Sequence, residues 1–167
     1  MFNKTIFKQT LKANFRLWLI FTVAVSILGT VLIAVFDDST IGSLSNMVEG
    51  TPLENLLQQT TFLGMLSQTF FTIHGVLLPI IYIVMTANSL VAAKVDRGSM
   101  AYLLSTPIKR TTIIFTNAIY LIFAVFLMIA VETIIGLAAI KLFQSDLDFN
   151  LSDYLLLNTG LFLLMVA

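Results

Sequence analysis

Apolar residues fall in long runs separated by short polar and charged segments. About 20 apolar residues at 1.5 Å each cross a hydrocarbon layer of about 30 Å, so residues 17–36 predict a first membrane span. The uncharged stretch from Asn55 to Ala93 turns apolar near Phe70, which predicts a second span over 70–93. A third covers 113–140, interrupted by the single charge of Glu132, and residues 154–167 begin a fourth that is too short to cross. The chain thus stops inside a membrane helix, and the expectation is the front part of a longer protein or a truncated gene product. A cleavable leader is the alternative for the first run, but that run is longer than leaders carry and no small-x-small cleavage site follows.

Lys4, Lys8, Lys12 and Arg16 recur every four residues, and Phe7, Leu11 and Phe15 recur at the same interval. The spacing predicts a helix over 1–16 with a cationic stripe beside an apolar one. Such a helix would lie along the membrane interface with its cations near anionic head groups, at about 1 kcal/mol each. The alternative is simply the positive flank of the first span. Within that span Thr22, Ser26, Thr30 and Ala34 form a narrow face suited to close helix approach. Pro79 should bend the second span. In the loop over 37–69, Thr51-Pro52-Leu53-Glu54 predicts a helix from about 52. Its stripe of Leu53, Leu56, Leu57 and Leu63 either lies on the outer surface or leads into the second span. Asn150-Leu151-Ser152 has the form of a glycosylation sequon, a weak signal so close to a span.

Composition excludes a soluble globule, because 11% of residues are charged where a water-facing surface needs about 25%. Nine basic residues balance nine acidic ones, so no basic field draws the chain to nucleic acid. The placement of charge is more informative than its sum. Lys4, Lys8, Lys12 and Arg16 precede the first span, and Lys94, Arg97, Lys109 and Arg110 lie between the second and third. The opposite segments hold Asp37, Asp38, Glu49, Glu54, Asp146, Asp148 and Asp153, with Lys141 as their only cation. Translocating cations is disfavoured, so the N-terminus is expected in the cytoplasm of a multi-pass protein of the cell membrane. The lack of cysteine removes disulfides and thiol chemistry, and one histidine with no Gly-Lys pair removes metal clusters and phosphate loops. No metal or cofactor is expected on this chain, and any nucleotide chemistry falls to another. Paired aspartates, a Gly-x-Ser-Gly nucleophile and a His-Glu-x-x-His motif are all lacking, which disfavours an intramembrane enzyme.

The connector over 94–110 reads Lys-Val-Asp-Arg-Gly-Ser-Met-Ala-Tyr-Leu-Leu-Ser-Thr-Pro-Ile-Lys-Arg. Gly98 can end one helix, Ser99 can cap a short new one, and Thr106-Pro107 can close that and cap the next. Met100, Leu103 and Leu104 put apolar side chains on one face of a segment that should face water. Either the protein's own helix ends and the lipid interface cover that face, or a cytoplasmic partner does. The run from Arg97 to Arg110 resembles the Gly-Thr/Ser-x-x-x-Leu-Leu-Ser-x-Pro-x-x-Arg signature of type-2 ATP-binding-cassette permeases. By that resemblance Gly98, Ser99, Met100, Leu103, Leu104, Pro107 and Arg110 form a coupling helix that docks on a cytoplasmic ATPase subunit, which carries the ATP and Mg. The resemblance also implies that residues 1–16 are an interfacial elbow and that a six-span permease works as a dimer of two copies in the lipid bilayer. Asp96 alone precedes the glycine where the family often has several acids, and the last spans are missing from this sequence.

The expected fold class is all-α: a polytopic helical membrane protein with an elbow helix, three full spans, a cytoplasmic coupling helix and a truncated fourth span. His74 and Glu132 are the ionisable residues inside the spans, tyrosines apart. They fall at comparable depth on antiparallel helices, so either they form a polar pair or Glu132 reaches the outer water. Asn88 and Asn117, near the cytoplasmic ends, can bond between helices. The function expected is the permease subunit of an ATP-driven exporter, and the alternative is a small stand-alone membrane protein of immunity or scaffold type.

Overall fold

The computed structural model describes residues 2–35, 40, 42–43, 46–47, 50, 64, 66–91, 98, 109–144 and 150–167. The expected loop helix from about 52 lies outside them. Among the described residues, four α-helices carry the architecture: α1 (Lys4–Val35), α2 (Gly75–Leu90), α3 (Arg110–Phe143) and α4 (Leu151–Val166), with a π-helical segment, Ser67–His74, leading into α2. Three apolar runs, Lys4–Val35, Thr69–Leu90 and Arg110–Phe143, are long enough to cross a bilayer, and Leu151–Val166 is shorter. The protein is a polytopic helical membrane protein.

Residues 4–35 form one continuous helix, with no break between the amphipathic section and the apolar span. Asn3 starts it, its Oδ1 accepting from Thr5 N (3.0 Å) and Ile6 N (3.2 Å) as an N-cap should. No proline or glycine follows before Gly29. The one residue that could have capped a second helix near the proposed junction, Asn14, instead donates from Nδ2 to Thr10 O within the helix (3.1 Å). Nothing in the sequence stops propagation there.

Near its start α1 keeps step with α3, Asn3 reaching Thr116 and Phe7 reaching Tyr120, but it falls out of step before Trp18. Phe7 packs edge-on to Tyr120 at 6.0 Å, and Trp18 Nε1 donates to Ala124 O at 2.9 Å. Eleven residues of α1, about 16 Å, thus correspond to four residues of α3, about 6 Å. The amphipathic section crosses the base of α3 obliquely. Beyond Trp18 the two helices run together in the same direction, Gly29 facing Glu132 and Ile33 facing Gly136. Hydrogen bonds tie both ends: Asn3 N donates to Thr116 Oγ1 (3.1 Å), and Gln144 Nε2 donates to Ile33 O (3.0 Å), an unpaired carbonyl of the α1 C-terminus.

The second span enters through the π-helical turn, where Gly75 N donates to Phe70 O, five residues back. Pro79, buried in α2, has no N–H for the Gly75 carbonyl, and such widened turns are a usual accommodation near a membrane proline. Helix α4 begins at Leu151 with Asn150 as its cap, the Asn150 side chain accepting from Ser152 N at 3.1 Å. The sequon residues therefore form a helix start.

Polar side chains lie inside and large apolar ones outside. Ile134 is 67% exposed and Ile114 65%, whereas Thr116 and Thr86 are buried. In hydrocarbon a hydroxyl gains from an internal acceptor, and three find one in their own helix: buried Thr22 to Trp18 O (2.8 Å), buried Thr116 to Thr112 O (2.7 Å) and half-buried Thr133 to Ile129 O (2.7 Å), whereas Ser26 Oγ is buried without a partner. The core divides into two clusters. One gathers Val25, Ile33, Phe70, Ile140 and Tyr154, and the other Tyr82, Tyr120, Val125, Met128 and Leu161.

Candidate functional site

Of the connector over 94–110, Gly98, Lys109 and Arg110 are described. Ser99, Met100, Leu103, Leu104 and Pro107 lie outside the described residues. Gly98 has φ +68°, the left-handed backbone in which a glycine avoids the steric penalty of a Cβ. At the other end Lys109 is the extended N-cap of α3, Thr112 N donates to Lys109 O at 2.9 Å, and Arg110 opens the helix. Arg110 and Lys109 are both exposed. The segment is bounded by a left-handed glycine and a helix start.

Lys4, Lys8, Lys12 and Arg16 are all exposed. The bond from Asn3 to Thr116 brings the cationic start of α1 to the end of the bundle where Lys109 and Arg110 begin α3. Basic groups far apart in sequence thus gather at one pole.

Glu132 is 5% exposed and lies within α3, with eleven more helical residues, about 16 Å, beyond it. It is enclosed by the protein well short of the end of the helix. Glu132 Oε2 and His74 Nδ1 are each buried without a hydrogen-bond partner in this structure. Phe70 stands beside the carboxyl. Its ring lies 3.3 Å, and Glu132 Oε1 3.8 Å, from where a Cβ of Gly29 would stand, so the ring occupies the space over α1 beside the carboxyl. From the second span it is Phe70 that meets Gly29 and Glu132, one turn before His74. Tyr154 of α4, stacked over Gly136, closes the same region one turn beyond Glu132. A carboxyl so deep in a membrane helix, with Oε2 unpartnered, is a default functional candidate, because burying it there is costly.

The family model described as ABC-2 family transporter protein matches residues 7–167, nearly the whole chain. The chain belongs to the ABC-2 transporter family. No curated protein matches it, and no solved structure does. Membership makes it the membrane component of a transporter, a kind of chain that generally partners with an ATPase subunit and is not itself catalytic.

In this ABC-2 protein the small-residue face on α1 is only partly covered. Thr22 and Ser26 are buried, Ala34 is exposed, and Thr22, Ser26 and Thr30 line with Val131 and Ile135 an open groove of about 320 Å³. The Phe70 ring comes against α1 at Gly29, a position outside the four-residue stripe. Asn88 is exposed, and Asn117 is buried with Oδ1 unpartnered. Several residues that organise the ABC-2 body were not singled out from sequence: Asn3, Trp18, Gln144 and Tyr154. Asn3 and Gln144 sit just outside helix ends, where capping side chains belong, and that position was the available signal. Trp18 and Tyr154 carried none beyond being aromatic.

Proposed function

We propose that this chain is the permease subunit of an ATP-driven exporter, with its N-terminus in the cytoplasm of a cell-membrane bilayer. The observation that carries the reading is the basic pole. The start of α1 and the start of α3 share one end of the bundle, and the connector opens at that same end. By the preference of Lys and Arg for the cytoplasmic side, the apolar face of Met100, Leu103 and Leu104 is then presented to the cytoplasm. There it docks as a coupling helix in a groove of a separate ATPase subunit, which binds ATP and Mg, and a second permease copy completes the pathway. The partner's different affinity for the permease states with and without ATP supplies the work that rocks the spans.

The test is co-purification of the chain with the ATPase encoded beside it. The ATPase should be retained in mild detergent, and Leu103→Asp or Leu104→Asp should release it while the membrane body keeps its thermal stability. Retention of the ATPase by both variants would overturn the docking role. A chain that binds no ATPase and supports no nucleotide-driven transport in proteoliposomes would overturn the exporter reading itself.

A further inference from the structure

Where the N-terminal section of α1 crosses the base of α3, a cleft of about 300 Å³ remains open. Leu11, Phe15 and Trp18 line it from α1, and Tyr120, Phe123 and Leu127 from α3. Its shape is fixed on both sides. Trp18 is held by its bond to Ala124 O, the Phe15 ring stacks on Trp18 at 5.9 Å, and Phe7 against Phe123 at 5.8 Å closes the end nearer the N-terminus. The cleft lies between two contacts of the same pair of helices, Phe7 on Tyr120 and Phe123 at one end and Trp18 on Ala124 O at the other.

The rim of this apolar wedge is charged. Lys8 and Lys12 flank Leu11 along the helix, and Arg16 follows Phe15; all three are exposed. No acidic residue precedes Asp37, and α3 carries none before Glu132. These cations therefore have no counter-charge on either helix that forms the cleft. The partner that fits is an amphiphile with an anionic head and an apolar tail. We propose that the cleft is the seat of one anionic phospholipid, an acyl chain lying between Phe15, Trp18 and Leu127 and its phosphate held by Lys8 and Lys12 with Arg16 alongside. Such a lipid would wedge the lower part of α1 against α3 and sense, through its charge, the composition of the leaflet that meets the connector.

Trp18 is the only tryptophan in the chain, so it reports the occupant directly. The full chain is reconstituted, without any ATPase, into nanodiscs of phosphatidylcholine and phosphatidylglycerol, and the acyl chains of one lipid or the other carry bromine. Brominated phosphatidylglycerol should reach half-maximal quenching of Trp18 at a mole fraction lower by at least about fivefold, the preference one juxtamembrane cation supplies. The triple variant Lys8→Gln/Lys12→Gln/Arg16→Gln, all exposed positions, should remove that preference, and Lys8→Arg/Lys12→Arg should keep it. Equal quenching by the two lipids, or a preference that survives the glutamine substitutions, overturns the proposal by showing ordinary surrounding lipid. Failure of either lipid to quench overturns it by showing that protein fills the cleft. With no ATPase present, none of these outcomes bears on the exporter reading.

Discussion

The hydroxyl of Tyr154 occupies the place on α3 where a side chain at Gly136 would begin. A Cβ built there collides with the hydroxyl oxygen and stands 3.2 Å from Cζ, while Ile33 Cδ1 lies 3.8 Å away. Tyr154 is 1% exposed, so the ring has no free space into which to move. This contact joins α1, α3 and α4 at one point. Gly136→Ala should therefore cost about 1–3 kcal/mol through overpacking, read as a lowered melting temperature in detergent. Tyr154→Phe removes the colliding atom and should recover part of the loss in the double variant. Additive losses in the two single variants would place the strain elsewhere.

Glu132 and His74 should behave as strangers. With Phe70 beside the carboxyl and no hydrogen bond to either unpartnered atom, Glu132→Gln and His74→Ala have no shared interaction to lose. Their effects on thermal stability should add within about 0.5 kcal/mol, the usual limit for uncoupled sites. A double variant no worse than the more damaging single one would show that the two side chains meet in a state other than this one.

The spans and the fold class were readable because their signal is additive. Twenty apolar residues in a row outweigh any local exception, and Leu17 to Phe36 or Ile113 to Ile140 leave little else to form. The continuity of α1 was harder to read, since amphipathic periodicity in residues 1–16 is the same whether the helix stops at Arg16 or runs on. Only the missing breaker between Lys4 and Leu28 spoke for one helix. Depth along a helix placed His74 and Glu132 at similar height, but depth carries no azimuth. Which side chain of the second span turns toward Glu132 depended on the π-helical turn, which shifts the register of Phe70 and His74 and has no sequence signature. The cleft beneath Trp18 was illegible for a related reason, because it comes from how two helices meet and not from any residue type.

The backbone at Gly98 gives a prediction separable from side-chain contacts. At φ +68° an alanine costs about 1–2 kcal/mol, whereas asparagine is among the side chains that tolerate this region best. Among the described residues a Cβ there meets nothing within 4 Å. Gly98→Ala should lower the amount of ATPase retained on purification several-fold and Gly98→Asn should do so less. Equal losses would point to a contact at Gly98 instead of its conformation.

Trp18 fixes the point at which α1 leaves α3, and its two roles can be separated by substitution. Trp18→Phe removes the bond to Ala124 O yet keeps a ring in the cleft. The Ala124 carbonyl lies inside α3, so the change orphans no backbone group, and the cost should be about 1 kcal/mol. Trp18→Ala also empties the space between Phe15 and Leu127, and the cavity adds to the lost bond for a total of about 3–5 kcal/mol. Thermal unfolding followed by circular dichroism orders the three proteins without relying on the fluorophore that the substitutions remove. If Trp18→Phe were as damaging as Trp18→Ala, the hydrogen bond would outweigh the packing, and the oblique crossing of α1 over α3 would depend on one N–H donor more than on the rings around it.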